Sequence, residues 1–155
     1  MEQYKMEVVE IQPRPTLTVT FSSNDADLPN DVAKALPAVF QYARSQKADF
    51  AGQPFVKFSH RNGPQFEAEA GIPVSSEIAG DGHVLAGHLP GGSTVTTIHI
   101  GPHELLDVAH RTLCAWARDN DFKFNGGPWE VYLTDTVLQT DSATWETQLF
   151  LSVYK

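Results

Sequence analysis

The chain is short of the residues that define several common protein classes. It has a single cysteine, Cys114, in 155 residues, so no internal disulfide can form and a disulfide-held framework is excluded. Basic residues are scarce, with 11 Lys and Arg against 19 Asp and Glu, a formal charge of −8 and a sequence pI near 5.1. Binding a phosphate backbone relies on clustered Lys and Arg, so direct nucleic acid binding is not expected. No apolar run reaches membrane-spanning length, and the N-terminus, MEQYKMEVVEIQPRP, lacks the cationic flank and apolar stretch of a signal peptide. No membrane association is expected, and cytoplasmic residence is the default. The glycine patterns of a dinucleotide cradle and a phosphate loop are absent, as is the GxSxG turn of a nucleophilic hydrolase. No cofactor is implied.

What the chain does contain is an internal repeat. Residues 35–55 lie over residues 109–129 at a constant offset, with Ala35/Ala109, Ala43/Ala117, Arg44/Arg118, Phe50/Phe124, Gly52/Gly126 and Pro54/Pro128 identical. FEAEAGIPV (66–74) then lies over WETQLFLSV (145–153) after a short insertion. Repeats of this length are too small to be comfortable alone, so 1–155 is read as one domain with pseudo-repeats at about 1–75 and 83–155. The seam between them is the expected ligand cleft.

Each half reads β-α-β-β. In the first, Val8 to Phe21 is strand-like, with Leu17, Val19 and Phe21 on one face. Asp27-Leu28-Pro29-Asn30-Asp31 opens an Ala-rich helix that Pro37 should kink or restart. FVKFSH and FEAEAGIPV then form a hairpin around Arg61-Asn62-Gly63-Pro64. In the second, STVTTIHI precedes a helix with Leu105, Leu106, Ala109, Leu113 and Trp116 at helical spacing, followed by WEVYLTD and WETQLFLSV. The expected fold class is α+β: duplicated β-α-β-β units forming an antiparallel sheet with two helices packed on one face.

Strand alternation proposes which side chains face away from the helices. In WEVYLT the apolar set is Trp129, Val131 and Leu133, leaving Glu130 and Tyr132 on the other side. In WETQLFL it leaves Glu146, Gln148 and Phe150, and in FEAEA it leaves Glu67 and Glu69. The repeat adds Val56 opposite Glu130 and Phe58 opposite Tyr132. Acids among aromatics suit a cationic organic ligand, which would balance the carboxylates and stack on the rings. The alternative is the wet face of an antiparallel sheet. His103, Asp107 and His110 fall at i, i+4 and i+7, a spacing that can face a metal but is equally that of solvated helix positions. No metal site is assigned. Trp116, Trp129 and Trp145 read as core or pocket wall.

LPGGSTVTTIHIGPHELLDVAHRTLCAW, GPWEVYLTD and WETQLFLSV, in that order, resemble the GyrI-like small-molecule-binding domain, the effector-binding domain of AraC-type and MerR-type regulators. The likeness spans residues 89–153 most clearly and the first half more weakly. It implies two β-α-β-β units and a ligand cleft in which an acid meets cationic aromatic molecules, and by motif that acid is Glu130, with Tyr132 as its wall. Two departures stand out: His103 replaces the family's usual Tyr, and Gln148 replaces a common Glu, for which Glu69 can compensate. The resemblance supports a stand-alone effector-binding or sequestering protein for small amphipathic molecules, a multidrug-binding, transcription regulator-like domain. Two alternatives remain: a hydrolase of strained electrophiles with Glu130 or Glu69 as general base, and a gyrase-modulating protein partner.

Overall fold

The computed structural model describes residues 4–60, 64–136 and 138–155. In chain order these form β1 (Glu7–Ile11), β2 (Arg14–Ser23), α1 (Leu28–Ser45), β3 (Phe55–His60), β4 (Phe66–Pro73), β5 (Leu85–Leu89), β6 (Gly92–Ile100), α2 (Leu106–Asp119), β7 (Lys123–Phe124), β8 (Trp129–Tyr132) and β9 (Glu146–Tyr154). Short 3-10 turns at His103–Leu105 and Ser142–Thr144 precede α2 and β9. Arg61, Asn62 and Gly63 of the expected hairpin turn lie outside the described residues. The strands that flank them, β3 and β4, pair antiparallel.

The chain divides into two compact units, Gln12–Pro90 and Met1–Ile11 with Gly91–Lys155. In the first, the antiparallel sheet runs β3-β4-β2-β5, and α1 packs on β2 and β4. In the second it runs β1-β6-β9-β8, with β7 also on β9, and α2 packs on β6 and β9. The mixed α+β class and the duplicated β-α-β-β order are therefore as the sequence implies. The units interleave along the chain, however. β1 precedes β2 yet pairs with β6, and β5 precedes β6 yet pairs with β2. The single strand expected from Val8 to Phe21 is two, broken at Gln12–Pro13, because Pro13 has no N–H to give a ladder and its ring fixes φ.

Of the kink or restart expected at Pro37, the restart does not occur. α1 runs unbroken through Pro37 with Ala35, Val39 and Ala43 buried, so packing outweighs the one intrahelical bond that proline forfeits. Its start is also not capped by Asp27. Asn24 instead receives the Asp27 amide on its side chain at 2.8 Å and the Leu28 amide on its carbonyl at 2.9 Å.

The duplication is clearest where the helices end. The Lys47 amide donates to the Arg44 carbonyl and the Ala48 amide to the Ala43 carbonyl, and Asp121 and Phe122 bond the Arg118 and Ala117 carbonyls in the same pattern. Each is a Schellman ending, which satisfies carbonyls the last turn leaves open. Lys47 (φ 56°) and Asp121 (φ 64°) hold the left-handed position that glycine usually fills. These two residues are equivalent in the repeat, so the device is inherited twice.

Beneath α2, Leu106, Ala109, Leu113 and Ala117 form one stripe that meets Val95 of β6 and Leu149, Leu151 and Val153 of β9. Each fully buried leucine of this layer contributes about 1.5–3 kcal/mol relative to exposure. The layer fixes the helix over the sheet and so fixes every other side chain on the same face.

Lys47→Gly and Asp121→Gly are each expected to raise stability by about 0.5–1 kcal/mol, because glycine removes the left-handed strain and no buried contact is lost. Urea unfolding of the single variants and of the double variant, with near-additive effects, checks this.

Candidate functional site

The expected inner face does not exist as one surface in either unit. Partners directly opposite in an antiparallel pair share a face, and β8 meets β9 as Glu130↔Leu149 and Tyr132↔Thr147. Glu130 and Tyr132 therefore lie on the face that α2 covers, while Trp129 and Val131 lie with Phe150 and Gln148 on the other. The expectation that grouped Glu130 and Tyr132 with Glu146, Gln148 and Phe150 is corrected. The sequence misled because the face turned from α2 is itself partly apolar: Trp129 stacks on Phe150, ring centroids 5.2 Å apart. The same correction holds in the other unit, where Val56↔Ala70 and Phe58↔Ala68 place both residues in the core, fully buried. Glu67 and Glu69 occupy the opposite face with Lys57 and Thr20.

On the covered face of the Gly91–Lys155 unit, Glu130 is buried to a side-chain exposure of 3%. His110, on the α2 stripe and 4% exposed, brings its Nε2 to 2.8 Å from Glu130 Oε1. The Tyr132 hydroxyl donates to Glu130 Oε2 at 2.7 Å. An ionised carboxylate in such surroundings costs several kcal/mol unless it is paired and hydrogen-bonded, and here both oxygens have partners. Removing either partner would cost the buried carboxylate one of these hydrogen bonds.

A tier of rings stands beside this pair. His103, in the 3-10 turn before α2, lies 5.3 Å from the Tyr132 ring and 4.8 Å from the Trp145 ring, and all three are half-buried. Burial holds the His103 pKa below the ordinary histidine value of 6.5; Glu130 opposes this shift and His99 reinforces it. His99 sits in β6 opposite Thr147. Its Nδ1 lies 2.8 Å from the Tyr4 hydroxyl and its Nε2 3.1 Å from the Pro102 carbonyl. A carbonyl only accepts, so Nε2 carries the proton and Nδ1 accepts from Tyr4. Gly101 lets the chain turn here, with φ at 140° and the site of a Cβ 3.5 Å from His99 Nε2. The row His99, Thr147, Tyr132 thus crosses three strands, and the buried Thr147 hydroxyl has no hydrogen-bond partner among the described residues.

In the Gln12–Pro90 unit, Thr20, Lys57, Ser59, Glu67, Ala68 and Glu69 line a shallow recess of about 250 Å³. Burial raises the Glu69 pKa; Lys57 and a 3.4 Å hydrogen bond from Thr18 pull against it. Glu67 is exposed and accepts from Ser22 at 2.5 Å.

Of the residues expected in a site, the structure brings together Glu130, Tyr132 and His103. Gln148, Phe150 and the exposed Glu146 lie on the opposite face of that unit, and Gln148 donates to Thr96 at 3.0 Å. The His103, Asp107, His110 spacing does not converge: Asp107 pairs outward with Arg111 at 3.2 Å while His110 points to Glu130. Sequence reasoning missed the role of His110, and it missed His99, Tyr4 and Thr147. For His110 a signal existed, since it falls four residues after Leu106 and three before Leu113, within the buried stripe.

Residues 5–153 match the family model of the GyrI-like small molecule binding domain. No curated protein matches by sequence. Among solved structures, the EcmrR–DNA complex is similar at 22% identity and a TM-score of 0.85, covering 98% of this chain and 58% of that one. The chain therefore spans little more than half the length of EcmrR. The EcmrR C-terminal domain alone gives 20% identity, a TM-score of 0.82 and 99% coverage of both chains. SAV2435 bound to tetraphenylphosphonium gives 8% identity, a TM-score of 0.62 and coverage of 97% and 94%. These likenesses establish the fold, and the match over nearly all of the sequence establishes the kinship: the chain belongs to the GyrI-like small-molecule-binding domain family.

Proposed function

We propose that this protein binds small, flat, amphipathic aromatic molecules against the Tyr132, His103 and Trp145 rings, with Glu130 as the polar floor. The observation that supports this reading is the layering of the face: His103 lies in ring contact with both Tyr132 and Trp145, all three half-buried, beside a fully buried carboxylate that Tyr132 hydrogen-bonds. Aromatic walls supply area at low entropic cost, and a few placed polar groups fix orientation. Such a face takes up a ligand that is apolar over most of its surface and polar at one end.

Binding is favoured over hydrolysis by the state of the acid. A general base needs an oxygen open to the water it activates, whereas Glu130 is engaged by His110 at Oε1 and accepts from Tyr132 at Oε2. Tetraphenylphosphonium in SAV2435 is a bulky aromatic ligand on the same fold, which is consistent with a binding role here.

N-phenyl-1-naphthylamine, an uncharged aromatic dye whose emission rises on burial, is expected to bind saturably. His103→Ala and Trp145→Ala should each weaken it by about three- to tenfold, the worth of one lost ring contact. Glu67→Gln, in the other unit, should leave it unchanged. Equal affinity in all four proteins would remove the rings from the site.

Tyr132→Phe keeps the ring but deletes the donor to Glu130 Oε2. It should cost about 1.5–3 kcal/mol of stability and spare most of the dye affinity, a separation that denaturation and titration of the same sample would reveal.

A further inference from the structure

We propose that the recess on the outer sheet face of the Gln12–Pro90 unit is a second binding site, for a free amino acid with a cationic side chain, whose α-ammonium and side-chain cation meet Glu67 and Glu69 and whose carboxylate meets Lys57. It belongs to the other unit from the Tyr132, His103 and Trp145 rings and stands whether or not those rings hold a ligand.

Strand pairing builds the recess. Lys57 of β3 lies directly opposite Glu69 of β4, and Glu69 directly opposite Thr20 of β2, so the three form one row on the face turned from the core. In the next row on that face Glu67 lies opposite Ser22. Beside it the β3 register shifts between Phe58 and His60, and Ser59, the residue skipped by the ladder, lines the recess. A bulge of this kind bends its strand and re-aims the side chains around it. The result is a hollow of about 250 Å³. Pockets for drug-sized ligands run to about 300–1,000 Å³, so its occupant is smaller than those.

The charges around the hollow do not satisfy one another. Burial raises the Glu69 pKa and Lys57 pulls it back, so the ammonium is near; yet among the described residues no ion pair joins Lys57 to either carboxylate. Among the same residues Glu69 accepts a single long hydrogen bond, 3.4 Å from Thr18, and the Glu67 carboxylate is met by the Ser22 hydroxyl alone. A half-buried carboxylate with no cation in contact is stabilised by one that arrives. Two carboxylates and one ammonium leave the lining with one negative charge in excess. A ligand with two cations and one anion answers it group for group and cancels that excess. Glu67 and Glu69 stand two residues apart on one strand, about 7 Å, so the ligand's cations must sit at the two ends of a short chain. Lysine is built in this way, with its carboxylate beside one of the two.

The repeat shows that the fold does not depend on these charges. Val131, Gln148 and Glu146 are the counterparts of Lys57, Glu69 and Glu67, and Ile98 stands opposite Gln148 where Thr20 stands opposite Glu69. The same row in the Gly91–Lys155 unit is thus Val131, Gln148, Ile98, with no charge in it.

The test is amide proton–nitrogen correlation NMR of the folded protein, titrated with L-lysine, with norleucine, which lacks the side-chain cation, and with cadaverine, which lacks the carboxylate. Lysine should shift the amides of Thr20, Lys57, Ser59, Glu67 and Glu69 saturably, with a Kd on the order of millimolar, as a few exposed ion pairs allow. Norleucine and cadaverine should each bind at least about threefold more weakly. Lys57→Met, checked for folding by circular dichroism, should weaken lysine about three- to fivefold and strengthen cadaverine, because it removes the partner of the carboxylate and a repulsion of the diamine together. A purely structural effect would weaken both. Glu69→Gln should weaken lysine and cadaverine alike. Shifts that fail to saturate, or that saturate at the same concentration for all three compounds, would overturn the site, as would a folded Lys57→Met protein that binds lysine as the wild type does.

Discussion

A carboxylate buried under a helix dictates its surroundings. Glu130 can remain there only if hydrogen-bonding groups meet both of its oxygens, and those groups must arrive in register. The ladder between β8 and β9 sets its height on the sheet. The apolar stripe of α2 sets the rotation that carries His110 to it. Tyr132, two residues along the same strand and on the same face, completes the set. A slip of one residue in β8 would send Glu130 to the other face and seat Val131 under the helix. Burial of the acid therefore couples helix rotation, strand register and the position of the Tyr132 ring, on which the aromatic tier depends.

The parts of this arrangement legible in the sequence are those set by local chemistry. Helical spacing of Leu106, Ala109 and Leu113 and alternation in the final strand both reappear in the structure. The ordered motifs from residue 89 onward point to the right family. What was misread depends on pairs distant in sequence. The parity of β8 is decided by its ladder to β9, not by its own hydrophobicity, because Trp129 finds Phe150 on the outer face while Glu130 finds His110 on the inner one. Alternation identifies two faces; it does not say which of them a helix will cover when both carry large apolar groups. The strand exchange of β1 and β5 is invisible for the same reason, since chain order favours a simple β1–β2 hairpin and only long-range pairing overrules it.

The duplication supplies an internal control on the buried pair. By the repeat, Leu36 is the counterpart of His110 and Val56 the counterpart of Glu130. The first unit thus builds the same helix-on-sheet layer with aliphatic residues at both places, Val56 fully buried and Leu36 half-buried. The two units share their Schellman endings and their β-α-β-β order, so the architecture does not require an acid and an imidazole beneath the helix. Replacing a buried ion pair by well-packed apolar groups is commonly neutral or stabilising. Stability alone gives no reason for the second unit to carry His110 and Glu130. The difference between the repeats is then best understood as chemistry added to a scaffold that folds without it. It stands beside the only tier of His, Tyr and Trp rings among the described ring contacts, where a bound molecule would meet it.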